Sequence, residues 1–259
     1  FILGLFGVLS LQAQEIEMDW QPREDLNINL PKSVQVFDAR GKLPDGKPIR
    51  AMYAEIDLRD ENLKLRSIGS NSIRETTKET YEKSQGILAI NGGYFAATSS
   101  VSLIVEDGET IAPGPSEEIT RGAFGMHRGR PQIVWANSGI EEGVPYKFEF
   151  PDIYSASEKW EVSQAVGGGP VLVKNGELRV SSKEEAFGGS HLIRHPRTAI
   201  GYKDKNTLLM MLVDGRQDAS AGVTLPELGR LMLQIGAKEA LNLDRSEEHT
   251  SELQSPVTI

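Results

Sequence analysis

An α+β fold, a mixed β-sheet with few helices in a single domain, is what this sequence predicts, and three observations predict it. Short alternating or continuously apolar runs recur through most of the chain, as strands of a buried sheet do. Glycine and asparagine turn signals separate them, Asn175-Gly176 most plainly. Only "TLPELGRLMLQIGA" carries a full helical signature. Such a mixture fits helices packed on a sheet.

Taken in order, residues 14–50 read as an extended lead-in, because Pro22, Pro31, Pro44 and Pro48 break any helix. The domain proper is expected over 51–244. "AMYAEIDL" (51–58) and "LKLRSIG" (63–69) alternate apolar and polar residues. "RETTKETYEKSQ" (74–85) is a polar helix candidate, and "GILAINGGYF" (86–95) a short buried strand entering a Gly-Gly turn. Strand-like runs follow in "VSLIVEDG", "GAFGMHRGRPQIVW" and "PYKFEF". "GGGPVLVKNGELRV" (167–180) reads as a hairpin turning at Asn175-Gly176, and 197–216 as another turning near Lys205-Asn206. In the clear helix, Thr224 and Glu227 have capping-box spacing, Leu225, Leu228, Leu231, Met232 and Ile235 share a face, and Gly236 stands at the C′ position. "EALNLD" then returns as a strand.

Composition narrows the function classes. With 39% apolar and 25% charged residues, the chain of 259 has the make-up of a globular protein with a sizeable core. A net charge of −9 leaves no basic field for a nucleic-acid backbone, so that partner is not expected. The absence of cysteine rules out disulfides, thiolate metal sites and a cysteine nucleophile. "FILGLFGVLSLQAQ" reads as a signal-peptide remnant over 1–13, cut after Ala13, which implies a periplasmic or extracellular protein. The other reading is an amphipathic N-terminal core helix. The run is shorter than the ~20 apolar residues of a membrane-spanning helix, so no transmembrane segment is expected.

Three buried strands end in polar groups, two of them beside glycine: Asn91-Gly92-Gly93, Asp214-Gly215-Arg216, and Asn242 with Asp244 in "ALNLD". Strand ends fix side chains, and glycines let a backbone approach a ligand. Each also reads as an ordinary turn. Gly167, Gly168 and Gly169 form either an anion-binding nest of amides or a flexible turn. His191, Arg194, His195 and Arg197 form either a phosphate site or a solvated loop. His191 and His195 have i, i+4 spacing, but Pro196 makes a helix there improbable and no H-E-x-x-H occurs, so neither a metal site nor a cofactor is expected.

Together, "AINGGYF", "VGGGPVLVKNG", "HPRTAIGY" and "LVDGRQDASAGVTLPELGRLMLQIGAKEALNLD" closely resemble the phosphodiester glycosidase family over about residues 50–244, most specifically from Asp214 to Asp244. The resemblance implies a secreted hydrolase that releases the sugar from a sugar-1-phosphodiester, such as a phosphorylated glycan. It implies Asp214 as the leading catalytic carboxylate and Asp244 as the second. Arg197 and Arg216 become the phosphate ligands, and Asn91, Gly92, Gly93 and Asn242 shape the sugar pocket. Gly167, Gly168 and Gly169 would donate amides to the phosphate. Two alternatives remain open: a non-catalytic secreted carbohydrate-binding or cell-envelope protein on the same scaffold, and a metal-dependent phosphodiesterase cutting a P–O bond.

In the family the strand matching "ALNLD" runs on into a glycine-rich turn. Here Asp244 is followed by "RSEEHTSELQSPVTI", which resembles a sequencing-library adaptor translated in frame. The expectation is that 245–259 is not native, that the domain is incomplete after Asp244, and that the tail takes no part in the core. Export of the full-length protein should yield a mature N-terminus at Gln14; N-terminal sequencing that recovers Phe1–Leu11 would refute the signal reading.

Overall fold

The computed structural model describes residues 16–69, 76–96, 99–115, 118–141, 143–245 and 257–258. The signal-remnant expectation for residues 1–13 therefore lies outside the described residues. Two large sheets dominate. The first has eight strands in the order Glu17–Pro22, Val34–Lys42, Pro48–Asp57, Thr207–Val213, Arg197–Asp204, Glu239–Asn242, Val171–Lys174 and Glu177–Leu178. The second has seven, in the order Ser157–Lys159, Val144–Phe148, Arg130–Glu141, Arg121–His127, Gln164–Gly167, Leu103–Glu106 and Glu109–Pro113.

The layers follow from the apolar pattern. In "TLLMMLV", Leu209, Met211 and Val213 pack against Leu225, Leu228, Leu231 and Met232 of the helix Leu225–Gln234. Leu208 and Met210 face the other way, against Phe124, Ile133, Trp135 and Val166 of the second sheet. A strand covered on both faces must be apolar throughout, which is why this run shows no alternation. Each such side chain taken fully from water contributes about 1.5–3 kcal/mol. The result is a helix, sheet, sheet sandwich.

The α+β character and the scarcity of helices hold, but the sheet is not mixed. Every strand pairing among the described residues is antiparallel. Thr207–Val213, the helix and Glu239–Asn242 do form a strand-helix-strand crossover, and its two strands run in the same direction. Arg197–Asp204 lies between them and pairs antiparallel with both. A crossover therefore did not entail a parallel ladder.

The lead-in holds the short helix Glu24–Asn27 between strands that belong to the main sheet. Glu17–Pro22 pairs with Val34–Lys42, which pairs with Pro48–Asp57. Asn27 braces the turn between the first two by exchanging hydrogen bonds with both the N–H and the C=O of Val36. At the other end, Val257–Thr258 pairs with Arg66–Ser67 and with Ala89–Ile90. The expectation of a tail without a place in the fold is thus not met at these two residues. Two-residue strands need only backbone partners, so side-chain pattern gives no warning of them.

Local signals are realised closely. Thr76 and Glu79 form a capping box on the helix Thr77–Ser84, and Thr224 and Glu227 form one on Leu225–Gln234. Gly236 adopts φ 92°, and the hairpin turns at Asn175-Gly176 with φ 54° and 78°. Glu227 has a second task, since Arg194 donates to it through Nε at 3.2 Å and Nη2 at 2.7 Å. Glu227→Ala should therefore lose a cap and a fork together, lowering unfolding stability by about 1–3 kcal/mol in urea titration. A midpoint equal to wild type would refute that dual role.

Candidate functional site

The three central strands of the first sheet place their ends together. Arg197 opens one strand and pairs with Val213, so Asp214 follows directly beside it. On its other side, Ala199 pairs with Asn242, and Leu243 N–H donates to Thr198 O at 2.9 Å. Continuing that register brings Asp244 alongside Arg197. Two carboxylate-bearing strand ends thus flank one arginine.

Asn91 fastens this edge to the segment after Ala89–Ile90. It is 3% exposed; its Oδ1 accepts from the Thr198 hydroxyl at 2.6 Å, and its Nδ2 donates to the Asp244 carbonyl. Asp244 N–H donates to Gly92 O at 3.0 Å, and Arg245 N–H donates to Asp244 Oδ1 at 2.8 Å. Asp214 N–H donates to Arg50 O at 3.0 Å, and its carbonyl accepts from the Ser220 hydroxyl at 2.7 Å. The Asp214 backbone is fixed, while its half-buried carboxylate takes no hydrogen bond among the described residues.

Asn242 ties the glycine loop to the same edge. Its Nδ2 donates to Tyr94 Oη at 2.7 Å and to Gly169 O at 2.8 Å, and the Tyr94 hydroxyl donates to Gly169 O at 2.7 Å. Asn242 Oδ1 is buried with no hydrogen bond. Burial pushes the Tyr94 hydroxyl well above its usual range. The amide-nest expectation fails at two of its three glycines. Gly168 N–H is spent on Gly122 O at 2.8 Å and Gly169 N–H on Asn242 O at 2.7 Å. These glycines serve close backbone packing instead. A Cβ on Gly168 would stand 2.5 Å from Asn242 O, and one on Gly93 would stand 2.2 Å from Gly167 O.

The cations divide into two groups. Arg194 belongs to structure, held by Glu227 and by Asp45 at 2.6 Å. Arg197 is 8% exposed; its Nε donates to Val223 O at 3.2 Å and its Nη2 to Ile193 O at 3.0 Å. Burial lowers its pKa first of all, and Arg245 and Arg216 add to that, while Tyr94 and Asp244 oppose it. Exposed Arg216, held at φ 59°, places Nη2 3.1 Å from His195 Nδ1. Burial, then Arg197, Arg216 and Arg245, lower the His195 pKa, so neutral imidazole accepts from Arg216. His191 stands apart, with Nδ1 3.4 Å from Gly188 O. Glu55, an alternative carboxylate on the early strand, is engaged by Lys203 at 2.5 Å.

Sequence reasoning missed Arg121, Glu185 and Phe187. Glu185 is fully buried beneath the glycine loop. Its carboxylate accepts from Gly122 N–H at 2.7 Å, Val171 N–H at 2.8 Å, Trp135 Nε1 at 3.0 Å and the Ser181 hydroxyl. Burial raises its pKa against those four donors. Three of these partners are 63, 14 and 50 positions away, so no local pattern announces them. Among the described residues, no group of three or more His, Asp or Glu is placed to hold a metal, and no helix is long and apolar enough to cross a membrane.

Fold and edge together define an antiparallel two-sheet protein with carboxylates and arginines at neighbouring strand ends. The family model described as phosphodiester glycosidase matches residues 84–244, and the chain belongs to that family. No curated protein matches the chain. The zebrafish N-acetylglucosamine-1-phosphodiester alpha-N-acetylglucosaminidase catalytic domain, auto-inhibited by its pro-peptide, is similar with TM-score 0.65 and 16% identity, over 93% of this chain and 87% of that one. A hypothetical protein from Synechocystis is similar with TM-score 0.68 and 13% identity, over 95% of this chain and 63% of that one. A candidate exported protein of Burkholderia pseudomallei is similar with TM-score 0.59 and 13% identity, over 85% and 75%. At these identities the structural likenesses show the fold.

The His195 environment has a pH consequence. Its folded pKa lies below the ordinary value of 6.5, so the neutral ring contributes stability that is complete above that pH. The contribution is lost as pH falls through the lowered folded value, when a third cation must sit beside Arg197 and Arg216. Urea midpoints between about pH 5 and 8 should fall on the acid side in wild type, and less steeply in His195→Gln, which accepts without titrating. Identical slopes for the two proteins would count against this.

Proposed function

We propose that the protein is an exported hydrolase that releases the sugar from a sugar-1-phosphodiester, with a phosphorylated glycan as the substrate class. One observation carries the reading: the register sets Asp214 and Asp244 on either side of Arg197, beside Arg216 and His195. Family membership supports the reaction class. The net charge of −9 argues against a nucleic-acid substrate.

The reaction needs water at the anomeric carbon and a stabilised leaving group. Asp214 is the general base in this reading, because its carboxylate is held on a fixed backbone and has no hydrogen bond to other described residues. Water adds to the anomeric carbon as its proton passes to the carboxylate. The bond from that carbon to the bridging oxygen breaks, and its electron pair leaves with the phosphate monoester. Arg197 and Arg216 then take up the growing negative charge. Such a leaving group departs readily, so one carboxylate with an arginine clamp meets the chemical need. Asp244 is the alternative base or a nucleophile. Asn91 and Asn242 are rigid amides at the pocket wall, Gly93 keeps that wall close to the glycine loop, and Gly92 O holds the Asp244 N–H.

Asp214→Asn should reduce turnover of a sugar-1-phosphodiester about 10²–10⁴-fold with little change in melting temperature. Arg197→Lys should impair both turnover and stability, because a lysine cannot reproduce a fork that also serves two backbone carbonyls. Full activity in Asp214→Asn would move the carboxylate role to Asp244. A folded wild type that turns over no member of a sugar-1-phosphodiester panel, yet binds glycans, would instead establish a carbohydrate-binding protein.

A further inference from the structure

Arg121 opens the strand Arg121–His127 on the second sheet. Ala123 pairs with Gly167, so continuing that register sets Arg121 beside Gly169. Its guanidinium lies 4.5 Å from the centre of the Phe187 ring. Phe187 packs 5.4 Å from Tyr94, which is hydrogen-bonded to Asn242 and Gly169. Arg121 also lines a small cavity with Ser102, Gly122, Gly167 and Gly168. The side chain thus reaches the glycine loop from the opposite sheet.

What sets Arg121 apart from the other described arginines is a buried Nε without a hydrogen-bond partner. Arg23, Arg59, Arg66, Arg179 and Arg194 each pair with a carboxylate. Arg121 makes no hydrogen bond or ion pair among the described residues, and its Nε is buried without a partner. An uncompensated, half-buried guanidinium is costly, and such groups collect at functional sites. The guanidinium sits over the Phe187 ring, and its N–H groups take no partner among the described residues. That edge has the fork geometry that suits a phosphate. Tyr94 feels both Arg121 and Arg197, so the two cations serve one neighbourhood.

We propose that Arg121 is a further phosphate-binding residue of the site, a guanidinium from the second sheet that acts with Arg197 from the first. This rests on the sugar-1-phosphodiester reading for the identity of the substrate, but anion binding is measurable apart from turnover. Calorimetric titration with inorganic phosphate should show Arg121→Met weakening affinity by about tenfold or more, with Arg121→Lys in between. Met keeps an apolar stem over Phe187. For the diester, Arg121→Met should raise KM more than it lowers kcat, whereas a merely structural role would lower active fraction at unchanged KM. Phosphate affinity equal to wild type in folded Arg121→Met overturns the proposal, as does a wild type that binds no phosphate. If Arg121→Met does not fold, Arg121→Lys decides, and unchanged phosphate affinity in it overturns the proposal. If wild type binds phosphate in an Arg121-dependent way yet hydrolyses no diester, the anion site stands and the hydrolase reading falls.

Discussion

Burial of the central strands on both faces is the constraint from which the rest follows. Thr207–Val213 is pressed between the helix Leu225–Gln234 and the second sheet, and its neighbours share that position. Polar side chains inside such strands would lose water without gaining partners. They are therefore pushed toward the ends. Antiparallel pairing does the remainder, because the ends of Thr207–Val213 and Glu239–Asn242 meet the beginning of Arg197–Asp204 at one edge. Asp214, Arg197, Asn242 and Asp244 are neighbours for that reason.

The edge is held by uncharged groups and tuned by charged ones. Asn91 and Asn242 each join two segments distant in sequence through an amide that both donates and packs. Gly168 lets the second sheet approach Asn242 of the first, and Gly93 and Gly167 allow close packing beside it, where a Cβ would collide with backbone. Around this frame, burial, then Arg197 and Arg216, lower the pKa of His195, and burial opposes the charge on Arg197 itself. Concentrating like charge at a desolvated edge is unfavourable for folding alone and suits an anionic ligand.

Much of this was legible in the sequence where the signal is local. The Thr224–Glu227 capping box, the Asn175-Gly176 turn and the Gly236 stop depend on residues within a few positions, and each is found as read. The candidate site residues could be named because polar groups interrupt apolar runs at 91–93, 214–216 and 242–244, with glycine at the first two. The mixed-sheet expectation did not survive, since a strand-helix-strand pattern says nothing about what lies between its strands. Nor did the amide nest, since glycine spacing does not reveal which carbonyls already take the N–H groups of Gly168 and Gly169.

By itself the sequence determined where strands and the long helix lie, which polar groups end them, and which family the chain resembles. These depend on periodicity, turn chemistry and motif, all carried by neighbouring residues. Only the tertiary structure decided that Arg121 meets Phe187, which packs on Tyr94, and that Glu185 braces the glycine loop from below. The reason is physical: a hydrogen bond or an unpaired charge depends on distance in space, and 63 positions separate Glu185 from Gly122 in the chain.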